Sequence, residues 1–256
     1  MVERTGAGDP LRVVPLLWRT GTTASRRGLN LERIVDAGTS LAQEEGIERL
    51  SMRRLADRLG VGTMSLYAHV PGKAELIDLM VDHAFAQVRY PAGSLDPARW
   101  RSALETVARR NWELYGHHRW LLAVDTTRPP LGPGTIGKYD AELGALARTG
   151  LDDVEVDQVL SLVLEHVRST ARQALDAPTA RASDPEWWTA AGPVLAGLMD
   201  ASRYPHAARV GEAAGRAYDA PVDPRRAYDF GLRTILDGVA ALIGERSASR
   251  EAVRRD

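Results

Sequence analysis

Apolar positions between residues 30 and 60 recur at helical spacing, and glycine residues separate the helices that they predict. One apolar stripe runs between Asn30, a suitable N-terminal cap, and Gly46, a suitable end. A shorter stripe follows Ser51, with members at relative positions 0, 3, 4 and 7: Met52, Leu55, Ala56 and Leu59. Gly60-Val61-Gly62 ends this second helix, and Thr63 is expected to cap a third. The pattern predicts a helix-turn-helix.

The third helix is predicted to have an outer surface of small side chains that carry no charge. Leu66 and Val70 lie one turn apart and are expected to point inward. The positions left outside carry hydroxyl, thioether and methyl groups: Thr63, Met64, Ser65 and Ala68. A slim, uncharged helix of this kind can enter the major groove of DNA. After Pro71-Gly72 a fourth helix is expected to support the head.

Beyond residue 96 the pattern is helical throughout, without the alternation typical of strands. Helices are predicted at about 97–116, 118–124, 135–149, 153–176, 185–201, 206–219 and 224–244. The helices at 153–176 and 224–244 are apolar on more than one face and should be buried on more than one side. Paired with the same helices of a second copy, they would form a four-helix dimer interface. The fold class is therefore all-α, with a three-helix head and a larger helical domain.

Composition adds the distribution of charge to this picture. The 256 residues carry a formal net charge of −1 and contain no cysteine, so disulfides, thiolate chemistry and conventional zinc fingers are excluded. Residues 1–73 contain 11 basic and 8 acidic residues, a net of +3, and the remainder has a net of −4. The basic excess thus coincides with the predicted DNA-reading unit. No apolar run approaches the ~18 residues that span a bilayer, and we expect a cytoplasmic protein.

A basic extension, residues 1–29, precedes the predicted head. It lacks sustained periodicity, which favours a flexible arm. Arg26 and Arg27 lie close to the first helix and could enter a neighbouring minor groove. The alternative is an inert tail in which Val13 to Trp18 pack on the second domain.

The segment LNLERIVDAGTSLAQEEGIERLSMRRLADRLGVGTMSLYAHVPGKAELIDLM resembles the DNA-binding head of the tetracycline-repressor (TetR) family of bacterial transcription factors. The most specific part is Ser65 to Val70, followed by Lys73 and Leu76. The resemblance implies that four side chains face the bases: Arg53, Thr63, Met64 and Ser65. It also implies that Tyr67 and Lys73 hold the phosphate backbone, with His69 near it.

Each of these backbone contacts has a structural alternative. Tyr67 could be a core aromatic, and His69 could make a structural hydrogen bond. Lys73 could be a solvated surface lysine. It stands at a helix N-terminus, however, where the helix dipole disfavours a cation, so an anion is expected to bind there. Of Arg53, Arg54 and Arg58, at least one is expected to be solvated.

The resemblance divides the chain into an arm at 1–29, a helix-turn-helix domain at 30–76, a ligand-binding and dimerisation domain at 77–246, and a tail at 247–256. Aromatic side chains with polar neighbours suggest an apolar ligand cavity, although aromatics at helical spacing are more often core residues. The candidates are Val107, Asn111, Trp112, Tyr115, Arg128, Tyr139, Val163, His166 and Trp187. Val124 and Ala174 stand where, or near where, the founding member holds magnesium, so metal-chelated tetracycline is not expected as the effector.

Features of enzymes are weak in this chain. Gly132 to Lys138 has the spacing of a phosphate-binding loop, but Tyr139 replaces the magnesium-binding Ser or Thr and no strands surround it. His117 and His118 are adjacent and cannot share a metal from one helix face. We expect no catalytic residues, metal or cofactor.

The predicted function is a homodimeric repressor that a small, largely apolar ligand releases from a palindromic operator in double-stranded DNA, without membrane association. Alternatives are a helical small-molecule-binding protein without DNA affinity and an all-α enzyme.

Overall fold

The computed structural model describes residues 2–18, 29–175, 185–220 and 222–253, which form eleven α-helices and one pair of two-residue strands. The helices are α1 Pro10–Leu17, α2 Leu31–Glu45, α3 Met52–Leu59, α4 Thr63–Tyr67, α5 Lys73–Ala86, α6 Trp100–His117, α7 Pro133–Gly144, α8 Asp153–Leu175, α9 Pro185–Leu198, α10 Pro205–Tyr218 and α11 Pro224–Val253. The strands are β1 Glu3–Arg4 and β2 Val124–Asp125, and short 3₁₀ turns lie at Ile47–Arg49, Pro97–Arg99 and Arg119–Ala123. The all-α class is confirmed.

The head consists of α2, α3 and α4, and its first two helices have the predicted caps. Asn30 Oδ1 accepts from the Arg33 amide at 2.8 Å, and Ser51 Oγ accepts from the Arg54 amide at 3.3 Å. Gly60 ends α3 in the left-handed region, with φ of 67°. The predicted cap at Thr63 is wrong, because Gly62 is the N-cap and makes no side-chain hydrogen bond, so Thr63 is the first residue of α4.

Helix α5 passes between the head and the larger domain, packing against α1, α2 and α7. Its apolar side chains are buried, with Leu76 and Met80 at 0 % exposure. Glu75, Asp78 and Asp82 are buried as well. This helix is therefore enclosed on more sides than its apolar pattern indicates.

The larger domain has its core between α6, α8 and α11, as their apolar faces predict. Gly231 allows close approach, because a Cβ there would lie 2.2 Å from the His166 ring. Gly238, on the same helix, faces open space. No helix among the described residues has the length and apolar character to cross a membrane.

The N-terminal extension differs from the flexible arm expected at 1–29. β1 pairs in parallel with β2, and α1 packs on α5 through Val13, Leu16 and Leu17, which are buried. Trp18 Nε1 donates to the Leu131 carbonyl at 2.6 Å. We call residues 3–18 the N-terminal strap. A helix of 8 residues and a strand of two are too short for a periodic signal, which is why the sequence predicted neither. Arg26 and Arg27 lie outside the described residues.

Candidate DNA-binding surface and ligand domain

Helix α4 presents its predicted outer surface to solvent. Leu66 and Val70 are 0 % exposed, whereas Met64 is 78 % and Tyr67 46 % exposed. Ser65 and Ala68 are also exposed; Thr63, in α4, and His69, in the turn after it, are partly exposed. Tyr67 is therefore not a core aromatic, and the outer surface of α4 is accessible to a binding partner.

Two of the three arginines of α3 form ion pairs with α2. The Arg54 guanidinium binds the Glu45 carboxylate, and Arg58 Nη1 donates to Glu44 Oε2 at 2.8 Å. Arg58 also holds the pKa of the Glu44 carboxyl below its usual range through this hydrogen bond. Arg53 is exposed and has no ion-pair partner among the described residues. It is thus the arginine of α3 most available to DNA.

Lys73 does meet an anion at the N-terminus of α5, and the anion is part of the protein. Its Nζ lies 2.7 Å from Glu3 Oε1, in the N-terminal strap. Both side chains are about a quarter exposed, at 29 % and 27 %, so solvent and a phosphate can compete with this pair. The sequence gives no signal for a contact between residues 70 positions apart.

Two of the nine predicted ligand-binding residues, Val107 and Val163, are core residues at 0 % exposure. Tyr115 is also buried, which raises the pKa of its hydroxyl to about 12. The Asn111 amide nitrogen donates to the Val107 carbonyl at 2.9 Å and to Glu142 Oε1 at 2.7 Å. These four side chains are committed to packing or to internal hydrogen bonds.

Glu142 is the centre of a buried polar network that sequence analysis did not single out. The carboxylate, in a residue of 0 % exposure, accepts from Asn111, from the Tyr90 hydroxyl at 2.5 Å and from Lys138 Nζ at 2.8 Å. Burial and the Glu142 charge raise the pKa of Tyr90. Lys138 and Glu142 are four residues apart on one helix, a spacing that could have revealed the pair.

Trp112 and His166 meet at an aromatic cluster between α6, α8 and α11. The rings of Trp112 and Tyr228 are 4.7 Å apart, and those of His166 and Tyr228 are 6.1 Å apart. His166 Nε2 lies 3.0 Å from the Tyr228 carbonyl oxygen, and the Arg225 guanidinium lies over both neighbouring rings. These two members of the predicted set thus share Tyr228 as a neighbour.

The remaining predicted ligand-binding residues lie apart on the surface. Tyr139 is 40 % exposed and donates to Asp157 Oδ1 at 2.7 Å. Arg128 is exposed in the loop before α7, where it neighbours Gly6 of the strap. Trp187 is 55 % exposed on α9 beside Trp188. Each of these three side chains is exposed to solvent.

A cleft of about 900 Å³ lies where α1, α2, α5 and α7 meet. We call it the junction cleft; its walls include Leu17, Val35, Phe85, Arg89, Gly137 and Lys138. None of the nine predicted residues is among the described residues that line it. It separates the head helix α2 from α7 of the larger domain.

Sequence comparison agrees with this division into a head and a larger helical domain. Residues 34–80 match the profile described as bacterial regulatory proteins, tetR family, and residues 93–243 match the tetracyclin repressor-like C-terminal domain. The chain belongs to the TetR family. The HTH-type transcriptional repressor DrrR1 of Streptomyces coeruleorubidus is 39 % identical over 252 residues, covering 95 % of this chain and 90 % of the relative.

Solved structures of the TetR family extend the likeness to the whole fold. Apo ActR from Streptomyces coelicolor superposes with a TM-score of 0.68 at 28 % identity, covering 85 % of this chain and 97 % of that one. ActR in complex with actinorhodin gives 0.67 at 27 % identity, with coverage of 84 % and 97 %. This TetR-family chain is a DNA-binding transcriptional repressor with a helical ligand-binding domain, and the family is one of regulators rather than enzymes.

Proposed function

We propose that this regulator binds a palindromic operator as a homodimer and is released from it by a small, largely apolar molecule. The observation that carries the proposal is the exposed outer surface of α4, where Met64 is 78 % exposed above a fully buried Leu66. One head offers few base-reading side chains, each giving about 1–3 kcal/mol of discrimination. Two heads on a two-fold axis double that number and match a palindrome.

The proposed DNA contacts divide into two classes. Arg53, Thr63, Met64 and Ser65 read base edges. Tyr67, His69 and Lys73 hold phosphates, and Arg26 and Arg27 reach the adjacent minor groove. Support comes from the exposure of Tyr67 and from the absence of an ion-pair partner for Arg53 among the described residues. Acting on DNA places the protein in the bacterial cytoplasm.

The effector is proposed to be a ring-containing small molecule. ActR, a structural relative, was solved with actinorhodin and with (S)-DNPA. Within the proposed ligand-binding set, Trp112 and His166 are the best placed to act together, because both contact Tyr228. No catalytic step is proposed.

The test measures binding of the purified protein to DNA from upstream of its own gene. Fluorescence anisotropy at several salt concentrations gives the affinity. Tyr67→Phe and Lys73→Gln should weaken binding similarly across sequences, and Lys73→Gln should reduce the salt slope by about one. Thr63→Ala and Ser65→Ala should instead change the preference among operator variants.

Arg209→Gln, which removes an exposed charge from α10, is the matched control and should leave DNA binding unchanged. If all four head variants bind like the unmodified protein, the assigned roles are wrong. If the unmodified protein ignores duplexes even in dilute buffer, the proposed function itself fails.

A further inference from the structure

We propose that the junction cleft binds a planar, largely apolar molecule carrying one acidic group, and that this occupant controls how the head sits on the larger domain. The inference rests on the proposed function and assigns a second ligand site, separate from the one proposed around Trp112 and His166. It differs from the predicted ligand-binding set, since none of those nine residues is among the described residues that line the cleft.

The size and walls of the cleft suit a multi-ring compound. Its volume of about 900 Å³ lies within the range of small-molecule pockets, about 300–1,000 Å³. Apolar side chains come from three of the four helices: Leu16 and Leu17 from α1, Leu31 and Val35 from α2, and Phe85 from α5. A largely apolar ligand would bury its rings against these groups.

Two glycine residues of α7 line the cleft, and one of them keeps it open. A Cβ at Gly137 would meet nothing within 4 Å, so this position faces free space. A Cβ at Gly134 would lie 2.1 Å from the Asp82 carbonyl oxygen, so Gly134 is needed for α7 to approach α5. The two glycines therefore have separate roles, one in packing and one in leaving room.

The preference for an acidic group comes from the cations that line the cleft. The Arg89 guanidinium donates to the Ala86 carbonyl and, at 3.2 Å, to the Val88 carbonyl, both of cleft residues. Within the described part of the chain no carboxylate pairs with Arg89, so it can bind an anion. Lys138 also lines the cleft, but Glu142 already binds it.

Two of the carboxylates in or beside the cleft, Asp82 and Asp36, are already engaged. Asp82 accepts from the amides of Gly134 and Thr135 at 3.1 and 2.8 Å, and Asp36 lies 3.5 Å from His83. Glu32 lines the rim in the first turn of α2. An acidic ligand is thus expected to orient its charge toward Arg89 and away from α2.

The position of the cleft links its occupancy to DNA binding. Its walls belong to α2, which is part of the head, and to α7, which is part of the larger domain, with α5 between them. A ligand touching both walls favours the head orientation that it fits best. If that orientation differs from the one that binds DNA, the ligand lowers the affinity for DNA, and by thermodynamic linkage DNA lowers the affinity for the ligand by the same factor.

The first test uses the fluorescent probe 1-anilinonaphthalene-8-sulfonate, titrated into the full-length protein. We expect saturable binding that Gly137→Phe weakens by about tenfold or more, because the added ring fills the cleft. Gly144→Phe is the matched control: it changes a glycine on the same helix that also faces open space but does not line the cleft, and it should bind the probe like the unmodified protein.

Thermal melting checks that both variants fold, and Gly137→Leu replaces Gly137→Phe if the latter does not. Equal probe affinity in the Gly137 and Gly144 variants would place the probe elsewhere, for instance on the exposed apolar face of α9, and would overturn the inference. The absence of saturable binding to the unmodified protein would overturn it as well.

The second test asks whether Arg89 receives the acidic group. N-phenyl-1-naphthylamine has the same rings without the sulfonate. Arg89→Gln should weaken the sulfonated probe by about tenfold, the effect of one charge-assisted hydrogen bond, and leave the neutral probe unchanged. Equal loss for both probes, or loss for neither, would remove Arg89 from the site.

The final arm separates this inference from the proposed function. The sulfonated probe should change the DNA affinity of the unmodified protein and of Gly144→Phe, but not that of Gly137→Phe. Normal DNA binding by every variant, with no response to the probe in any of them, would refute control through the cleft while leaving the DNA-binding function intact. Loss of DNA binding by the unmodified protein would refute the proposed function instead.

Discussion

Three carboxylates of α5 are buried, and backbone amides take the place of water as their hydrogen-bond donors. Glu75 Oε1 accepts from the Asp9 amide at 3.3 Å, and Asp78 Oδ1 accepts from the Gly6 amide at 2.8 Å. Asp82 accepts from the start of α7. Burial raises the pKa of Asp78 to about 6, although the Gly6 amide opposes this rise and the nearby Glu75 charge adds to it. The ionised Asp78 therefore costs stability at neutral pH.

The direction of the pH dependence follows from comparing the folded and unfolded states. The pKa of Asp78 is about 6 when folded, above the value of about 3.9 for an unfolded Asp. Its contribution to the free energy of unfolding thus falls as pH rises from about 4 to 6 and is constant above. Asp78→Asn keeps an acceptor for Gly6 and should remove this fall, gaining about 1–3 kcal/mol at pH 7 relative to the unmodified protein.

Urea unfolding midpoints measured between pH 4 and 7 give this comparison. Asp140→Asn, on an exposed position of α7, is the control and should follow the unmodified protein. Parallel curves for the unmodified protein and Asp78→Asn would show that Asp78 titrates normally.

At the scale of elements, the start of α7 binds an internal anion. The amides of Gly134 and Thr135 and the Thr135 hydroxyl, 2.9 Å away, donate to the Asp82 carboxylate of α5. Amides at a helix N-terminus favour a negative charge. The sequence around Gly134 has the spacing of a phosphate-binding loop, and in this fold it holds a carboxylate of the same chain.

Two glycines of α7 should respond to the same substitution with opposite signs. Gly134→Ala should lower the melting temperature, since its Cβ would lie 2.1 Å from the Asp82 carbonyl oxygen and push α7 away from α5. Gly137→Ala faces open space and should raise stability by about 0.5–1 kcal/mol, the usual gain for this change within a helix. Differential scanning fluorimetry of both variants tests the close α5–α7 contact; equal effects would argue against it.

The N-terminal strap places a competitor at a proposed phosphate contact. Glu3 must leave Lys73 if that ammonium is to bind DNA, and partly exposed ion pairs are worth only about 0.2–1 kcal/mol. Glu3→Gln should therefore raise operator affinity up to about fivefold in anisotropy titrations. Glu245→Gln makes the same change of net charge on α11 and should raise it less. An equal rise in both variants would mean that only net charge matters.

At the scale of the whole molecule, apolar side chains on α8 and α11 remain uncovered. Leu162 is 53 % and Phe230 61 % exposed, although the two helices pack against each other. If a second copy covers these faces, Phe230→Arg should shift the protein toward monomer in sedimentation velocity and weaken operator binding. Leu11→Arg changes a residue that is 84 % exposed on α1 and should do neither. A Phe230→Arg variant that stays dimeric would place the interface elsewhere.

Helical periodicity, capping residues and the α4 surface were readable from the sequence because each depends on neighbours within one or two turns. They predicted the all-α class, most helices to within a few residues, and the inward direction of Leu66. They overestimated the length of α4: Val70 was placed in this helix, but it ends at Tyr67. A short helix gives too little periodic signal to fix its end. The family resemblance added the proposed roles of Tyr67 and Lys73, which residue patterns alone would not assign.

Contacts between distant parts of the chain were decided only by the tertiary structure. Glu3 meets Lys73, Asp82 meets Thr135, and Asn111 meets Glu142, across separations of 70, 53 and 31 residues. No local pattern encodes these pairs, because they arise where packed helices bring side chains together. For the same reason the sequence selected ligand candidates by residue type, whereas the junction cleft forms between four packed helices, where Gly137 of α7 leaves space.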